Sequence, residues 1–192
     1  MSSESIASSG TVAAPRPLLD KVYGWLTTVD HKRLGILYIL FALIFLAIGG
    51  IEATVMRLQL VRPLNDFVSP HLFNRMFTMH GTTMIFVAMP LVFGFVTYMV
   101  PLMIGERDMA FPRLNAFSFW MTAFGALIRY SSFRGGTGFL DGGNAPDAGW
   151  FAYALLTSLM FPPGHGSDFW TLGLLLSGIG SVGTAINIVT TF

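Results

Sequence analysis

The chain has 192 residues, of which 53% are apolar and only 11% are charged, and its formal net charge is +1 with no cysteine. Soluble domains carry roughly 25% charged residues, so water is not the main solvent of this chain. The small net charge without a Lys/Arg-rich block excludes nucleic acid as a partner, and the lack of cysteine excludes disulfides and thiolate metal sites.

The segment that precedes the first apolar run has two parts. Residues 1–17 are rich in Ser, Ala and Pro and contain no apolar core, so we predict a disordered tail rather than a signal peptide. In residues 18–29 the apolar side chains recur at helical spacing, which favours a short amphipathic helix on the membrane surface. A plain linker before the membrane is the open alternative.

Four apolar runs are predicted to cross the membrane as helices. They cover residues 34–56, 76–104, 114–129 and 168–192, and the third is the weakest by length. The polar connection at 57–75 cannot stay in hydrocarbon, and the connection at 130–167, dense in Gly and Pro but containing aromatic residues, is expected to be an ordered loop. Residues 18–192 therefore form one bundle, and the fold class is an all-α membrane protein with about four transmembrane helices.

The ends of the chain bear on its orientation and its completeness. The fourth run reaches Phe192 without a polar flank or a basic anchor, so we expect the bundle to be the incomplete part of a larger one. With the N-terminus inside, six of the 11 basic residues, including both lysines, lie on the inner side. This small excess favours a cytoplasmic N-terminus.

Among the residues of the second run, His80 has the side chain best suited to binding or catalysis. An imidazole at membrane depth is costly unless its nitrogens are used, and a neutral imidazole is the usual axial ligand of haem iron. The small residues Gly81, Thr82 and Thr83 follow it and leave room for a flat group beside the helix. From the residues alone, a histidine that is hydrogen-bonded to a neighbouring helix is an equally open alternative.

Polar residues near the two ends of this helix are further candidates. Arg57 ends the first span on the side of His80, where a guanidinium could clamp a haem propionate, although a snorkelling arginine is the open alternative. Asp108 and Asn115 flank the opposite end, about 40 Å along the helix axis, where an acid could collect protons from the inner solution. An ion pair between Asp108 and an arginine of its own loop is the alternative there.

The other three histidines are not predicted to bind metal. His31 follows Asp30 and is expected to be an interfacial anchor, whereas His71 and His165 lie beside prolines in outer loops and are expected to be solvated. No pair of histidines has metal-ligand spacing, so a copper or zinc site is not predicted in this segment.

Several motifs, in order and at characteristic distances, resemble subunit I of the haem-copper terminal oxidases, of the cytochrome c and quinol oxidase type. The motifs are 30–35 (DHKRLG), 56–59 (MRLQ), 79–86 (MHGTTMIF), 100–105 (VPLMIG), 108–115 (DMAFPRLN), 148–153 (AGWFAY), 178–181 (GIGS) and 185–187 (AIN). The resemblance implies that the chain corresponds to the first four helices of a twelve-helix bundle. It covers nearly everything after the tail.

The resemblance also implies roles for single residues. His80 would be one axial ligand of a low-spin haem of a or b type, Arg57 would lie against that haem, and Trp150 would belong to the outer loops near where electrons arrive. Asp108 would be the mouth of a proton pathway that opens on the inner side. Asn115 and Ser181 would lie further along it.

By the same resemblance, the complete subunit transfers electrons from cytochrome c through the low-spin haem to a haem-copper centre and reduces oxygen to water, with proton uptake and pumping. The second haem, copper B and their ligands are expected only in later helices, so this segment alone cannot reduce oxygen. The implied partners are oxidase subunits II and III, cytochrome c or quinol, and the lipid bilayer, and the implied location is the bacterial cytoplasmic membrane. The alternatives are a quinol-oxidising member of the family and a non-catalytic, truncated membrane fragment.

Four positions depart from the family pattern. Thr97 stands where many members have an asparagine, Ala116 replaces the second residue of an Asn-Asn pair, and Gly180 replaces a serine. These changes leave the efficiency of pumping open. Gln59 replaces a glutamate that helps to bind a structural cation in some members, so that cation is not predicted.

Overall fold

In the computed structural model the described residues are 17–134, 145–157 and 165–192, and every regular element in them is helical. The helices are α1 (Leu18–Leu26), α2 (His31–Gln59), α3 (Pro70–Ile104), α4 (Pro112–Ser131) and α5 (Gly166–Thr191), and a short 3-10 turn, Ser132–Arg134, follows α4. This confirms the predicted all-α fold. Residues 1–16 of the predicted tail, and residues 135–144 and 158–164 of the loop predicted at 130–167, lie outside the described residues.

Three of the helices, α2, α3 and α5, are long and apolar enough to cross a membrane. The third predicted span is α4, a less apolar helix of 20 residues. At about 1.5 Å per residue its length is close to the ~30 Å hydrocarbon core, and it packs along α5 over most of that length. Among the described helices, α4 is therefore stabilised by its packing against α5 as well as by its own apolar residues.

Capping residues set the helix ends, and they lie beyond the predicted apolar runs. The Asp30 carboxylate accepts hydrogen bonds from the backbone N–H groups of Lys32 and Arg33 at 2.9 and 3.0 Å, so α2 begins at His31. Ser69 caps α3 in the same way, which corrects the loop predicted to extend to residue 75. Gly105, with φ of 80°, ends α3 in the left-handed conformation that glycine tolerates.

Close helix approach at glycines determines the packing. A Cβ on Gly35 of α2 would lie 2.8 Å from the carbonyl oxygen of Gly94 on α3, and a Cβ on Gly173 of α5 would lie 2.5 Å from that of Gly125 on α4. Small residues allow such contacts between backbones inside a membrane, where no hydrophobic driving force brings helices together. Two antiparallel pairs, α2 with α3 and α4 with α5, result.

Gly180 belongs to the same close seam between α4 and α5. A Cβ there would lie 2.6 Å from the carbonyl oxygen of Ser118 and 2.7 Å from the Thr122 hydroxyl oxygen. The departure from serine at this position therefore has a packing reason in this chain: a serine side chain would push α4 away from α5.

Aromatic and aliphatic side chains join the two helix pairs. Tyr38 of α2 packs edge-on against Phe119 of α4, with ring centroids 5.0 Å apart, and its hydroxyl lies 3.1 Å from that of Thr184 on α5. Nearer the other end, Phe45 of α2 packs against Tyr130 of α4, with ring centroids 5.6 Å apart. These contacts fix α4 and α5 beside the α2–α3 pair and so position the polar residues described next.

Candidate functional site

His80 lies in the third turn of α3, facing α2. Its Nδ1 is 3.1 Å from the carbonyl oxygen of Gly49, to which it can only donate. The contact therefore places the proton of the neutral ring on Nδ1 and leaves the lone pair on Nε2. Among the described residues no hydrogen-bond partner faces Nε2, and the side chain is 27% exposed. One nitrogen is thus used by a neighbouring helix, and the other has the form in which imidazole binds iron.

Trp150 occupies the space beside Gly81. A Cβ on Gly81 would lie 2.9 Å from the Cβ of Trp150, and the backbone N–H of Gly149 donates to the Thr78 hydroxyl at 2.9 Å. The expectation that the small residues after His80 leave open room was wrong on this face, because the loop at 145–157 fills it. The loop instead brings Trp150 next to the turn that carries His80.

Glu52 is a neighbour of His80 that the sequence interpretation missed. It is only 6% exposed, its Oε2 lies 4.0 Å from Nδ1 of His80, and its Oε1 accepts a hydrogen bond of 2.9 Å from the Tyr130 hydroxyl. The available signal was an ionisable residue inside an apolar run, which by itself indicates a functional site.

Arg129 completes a buried polar network with Glu52. Its side chain is fully buried and donates through Nη2 to the Thr83 hydroxyl at 3.2 Å, and that hydroxyl lies 2.5 Å from the Tyr130 hydroxyl. The guanidinium also lies over the ring of Phe86, 4.3 Å from its centroid. The network therefore links a cation on α4 to a carboxylate on α2, close to His80.

Arg57 lies at the same end of the α2–α3 pair as His80, because the two helices are antiparallel. It is five residues, about 7.5 Å of helix, beyond Glu52 and is exposed. In the part of the chain that the structure describes, no ion pair includes it. Its side chain is therefore available to an anionic group.

Asp108, at the other end of α3, faces His31 rather than an arginine. Its Oδ1 lies 3.4 Å from Nδ1 of His31 and accepts a hydrogen bond of 2.7 Å from the backbone N–H of Met109. His31 is 1% exposed, so its prediction as an interfacial anchor was wrong. It shares a helical face with Leu34 and Tyr38, and that face is buried against the bundle. Asp108 itself is 30% exposed and can exchange protons with solvent.

Buried polar groups continue inward from Asp108. Asn115 is fully buried, and neither polar atom of its side chain has a hydrogen-bond partner in the described residues. Thr97 and Ser118 are also buried, and their hydroxyl groups likewise have no partner in those residues. Buried polar atoms of this kind are usually satisfied by ordered water. These side chains therefore fit a route of ordered water molecules that leads inward from the Asp108 end.

Ser181 lies on α5 beside a cavity of about 250 Å³ between α3 and α5. Its hydroxyl donates to the Ser177 carbonyl at 2.9 Å, within its own helix, and both serines line the cavity. Asn187 lies further towards the Asp108 end, where its side chain accepts from the Phe111 N–H at 2.8 Å and donates to the Phe111 carbonyl at 3.2 Å. This pair of bonds ties the loop of Asp108 to α5.

The chain is similar in sequence to known proteins of one family. The family model described as "Cytochrome C and Quinol oxidase polypeptide I" matches residues 33–192. Cytochrome c oxidase subunit 1 of Bacillus sp. (strain PS3) is 50% identical over 182 residues, 94% of this chain, and that of Bacillus subtilis (strain 168) is 47% identical over 172 residues, 88% of this chain. The subunit 1 of Corynebacterium glutamicum is 46% identical over 172 residues, 89% of this chain. The chain spans only 26–28% of the length of these three relatives.

Proposed function

The chain belongs to the cytochrome c and quinol oxidase polypeptide I family, and we propose that it is the N-terminal part of the catalytic subunit of an aerobic respiratory terminal oxidase. The complete subunit would transfer electrons from cytochrome c through a low-spin haem to a haem-copper centre and reduce oxygen to water, with proton uptake and pumping. This chain would supply one haem ligand and the proton entrance.

One observation carries the proposal: the Gly49 carbonyl holds Nδ1 of His80 and leaves Nε2 free. His80 would bind the iron of a low-spin haem through Nε2, and Gly49 would fix both the tautomer and the ring orientation, as partners in the outer coordination shell do. When bound, the haem supplies one-electron transfer. The exposed guanidinium of Arg57, at the same end of α2, would pair with a haem propionate.

Proton uptake would take place at the other end of the bundle. The partly exposed Asp108 carboxylate would accept protons from the inner solution, with Nδ1 of His31 3.4 Å from one of its oxygens. The buried amide of Asn115 has no hydrogen-bond partner among the described residues, and it supports a hydrated route leading inward from there. Ser181 would lie further along this route. We place the Asp108 end, and with it the N-terminus, on the cytoplasmic side of a bacterial membrane.

Cytochrome c is the proposed electron donor, because the similar curated relatives are named cytochrome c oxidase subunit 1. The proposed partners are subunits II and III of the same oxidase, and the lipid bilayer would surround α2, α3 and α5. Trp150, packed on Gly81 next to the turn of His80, supports an electron entry side at that end.

The haem assignment is tested with His80→Ala in the complete subunit. Reduced-minus-oxidised spectra of membranes should lose the low-spin haem band, because the axial ligand is gone. His71→Ala, at an exposed position on the same helix, is the matched control and should keep the band. A band that persists in His80→Ala would refute the assignment.

A further inference from the structure

We propose that Glu52 is a positioning residue for His80, whose buried carboxylate polarises the Nδ1–H group and so lowers the reduction potential of the low-spin haem. The inference rests on the proposed ligation of that haem by His80. By this inference, the reduction potential of the haem depends on Glu52 of α2 and, through the buried network, on Arg129 of α4.

Two groups of α2 converge on the same edge of the imidazole. The Gly49 carbonyl oxygen is 3.1 Å from Nδ1, and Oε2 of Glu52 is 4.0 Å from the same atom. Residues three apart on a helix lie on one face, so the backbone carbonyl and the carboxylate approach the ring together. Gly49 makes the hydrogen bond, and Glu52 acts on it through its charge.

The oxygen of Glu52 nearest to His80 is also the one that is left unpaired. Tyr130 donates to Oε1 at 2.9 Å, whereas Oε2 is buried with no hydrogen-bond partner in the described residues. A buried oxygen without a partner is costly unless a positive dipole or charge faces it. The Nδ1–H group of His80 is the dipole that faces it.

A directed chain of hydrogen-bond donors begins at the guanidinium of Arg129 and ends on the carboxyl group of Glu52. The guanidinium of Arg129, which stays charged in proteins, donates to the Thr83 hydroxyl. Because the Tyr130 hydroxyl proton is used on Glu52, the Thr83 hydroxyl donates to the Tyr130 oxygen, so each hydroxyl accepts one bond and donates the next. Such chains strengthen along their length, and a buried cation requires a counter-charge. Through Tyr130 and Thr83, Glu52 is the carboxyl group that is linked to this cation.

The surroundings of Glu52 preserve the effect of its charge. A cavity beside it is lined mainly by apolar side chains, among them Ile48, Ile51 and Val55 of the same helix. Charges in such a medium are screened much less than in water. A negative charge beside the ligand makes the imidazole a stronger donor and favours the more positively charged, oxidised iron, which means a lower reduction potential.

The test is a redox titration of the low-spin haem in the complete oxidase with Glu52→Gln, which removes the charge but keeps the size. At a fixed solution potential, the ratio of reduced to oxidised haem should rise about tenfold, which is about 59 mV for a one-electron couple. Glu52→Asp keeps the charge and should stay near the wild-type potential. Glu106→Gln removes an exposed carboxylate of the α3–α4 loop and is the matched control.

Each outcome bears on one assignment only. A Glu52→Gln enzyme that keeps its low-spin band at the wild-type potential overturns the role of Glu52 and leaves the haem assignment intact. If Glu52→Gln loses the band, Glu52→Asp must restore it at the wild-type potential, and loss of the band in both variants overturns the role as well. A band that survives His80→Ala overturns the proposed function itself, whatever potential is measured.

Discussion

Nδ1 of His31 lies 3.4 Å from Oδ1 of Asp108, which brings the first residue of α2 against the loop between α3 and α4. The contact joins a buried imidazole to a carboxylate that is still open to solvent. It places a buried imidazole beside the proposed proton entrance, while the backbone N–H of Met109 holds the Asp108 carboxylate from its own loop.

Asp108→Asn in the complete oxidase should slow proton uptake and turnover at least roughly tenfold while the low-spin haem band stays unchanged, because a positioned proton acceptor is worth 10² or more in rate. Proton uptake is measured with a pH indicator during rapid oxidation of the reduced enzyme. Glu106→Gln, two residues away and exposed, is the control and should have no effect. Normal uptake in Asp108→Asn would contradict the assignment.

His31→Ala should slow proton uptake less than Asp108→Asn does, because the acid remains and only its partner is lost. The same indicator assay compares the two variants, and the exposed His71→Ala is the matched histidine control. An effect of His31→Ala that exceeds that of Asp108→Asn would show that His31, and not the carboxylate, is the main proton acceptor.

Gly173→Ala should lower the free energy of unfolding by about 1–3 kcal/mol, the usual cost of overpacking. Its new Cβ would lie 2.5 Å from the Gly125 carbonyl oxygen and 2.8 Å from Cβ of Arg129. Gly178→Ala, on the same helix, meets nothing within 4 Å among the described residues and should be neutral or slightly stabilising. Unfolding in a detergent titration, followed by helix content, compares the two. Equal stabilities would show that α4 and α5 can separate without cost.

Asp30→Ala should destabilise the bundle by about 1 kcal/mol, because two backbone N–H groups at the start of α2 lose their acceptor. Asp30→Ser retains a capping oxygen and should lose only a few tenths of that amount, in the same detergent titration. If both substitutions are neutral, the start of α2 is held by burial of His31 alone.

The sequence was enough to predict that the long apolar segments are helices, because this depends on local properties of each segment. An apolar run of about 20 residues must satisfy its own backbone hydrogen bonds in lipid, so the runs in α2, α3 and α5 could only be helices. The helix ends were less predictable. Asp30 and Ser69 are polar, and an apolar run does not include the polar residue that caps it.

The residues of the candidate site also fall into those that the sequence indicated and those that it did not. The sequence made His80 a candidate, since an imidazole in an apolar run indicates a use for its nitrogens, and it made Asp108 a candidate by its place in a motif. The roles of both residues stay predictions. The network around Glu52 was not predicted, because the residues that surround it, Thr83, Tyr130 and His80, come from two other helices.

The sequence by itself determined that this is an all-α membrane bundle of the oxidase subunit I family, with a histidine at membrane depth in α3. Only the tertiary structure decided which groups face that histidine, and that His31 is buried beside Asp108 rather than placed at the interface as an anchor. The physical reason is that helical periodicity assigns each residue to a face of its own helix. The close glycine contacts between helices then select which faces meet, and that choice depends on the whole bundle.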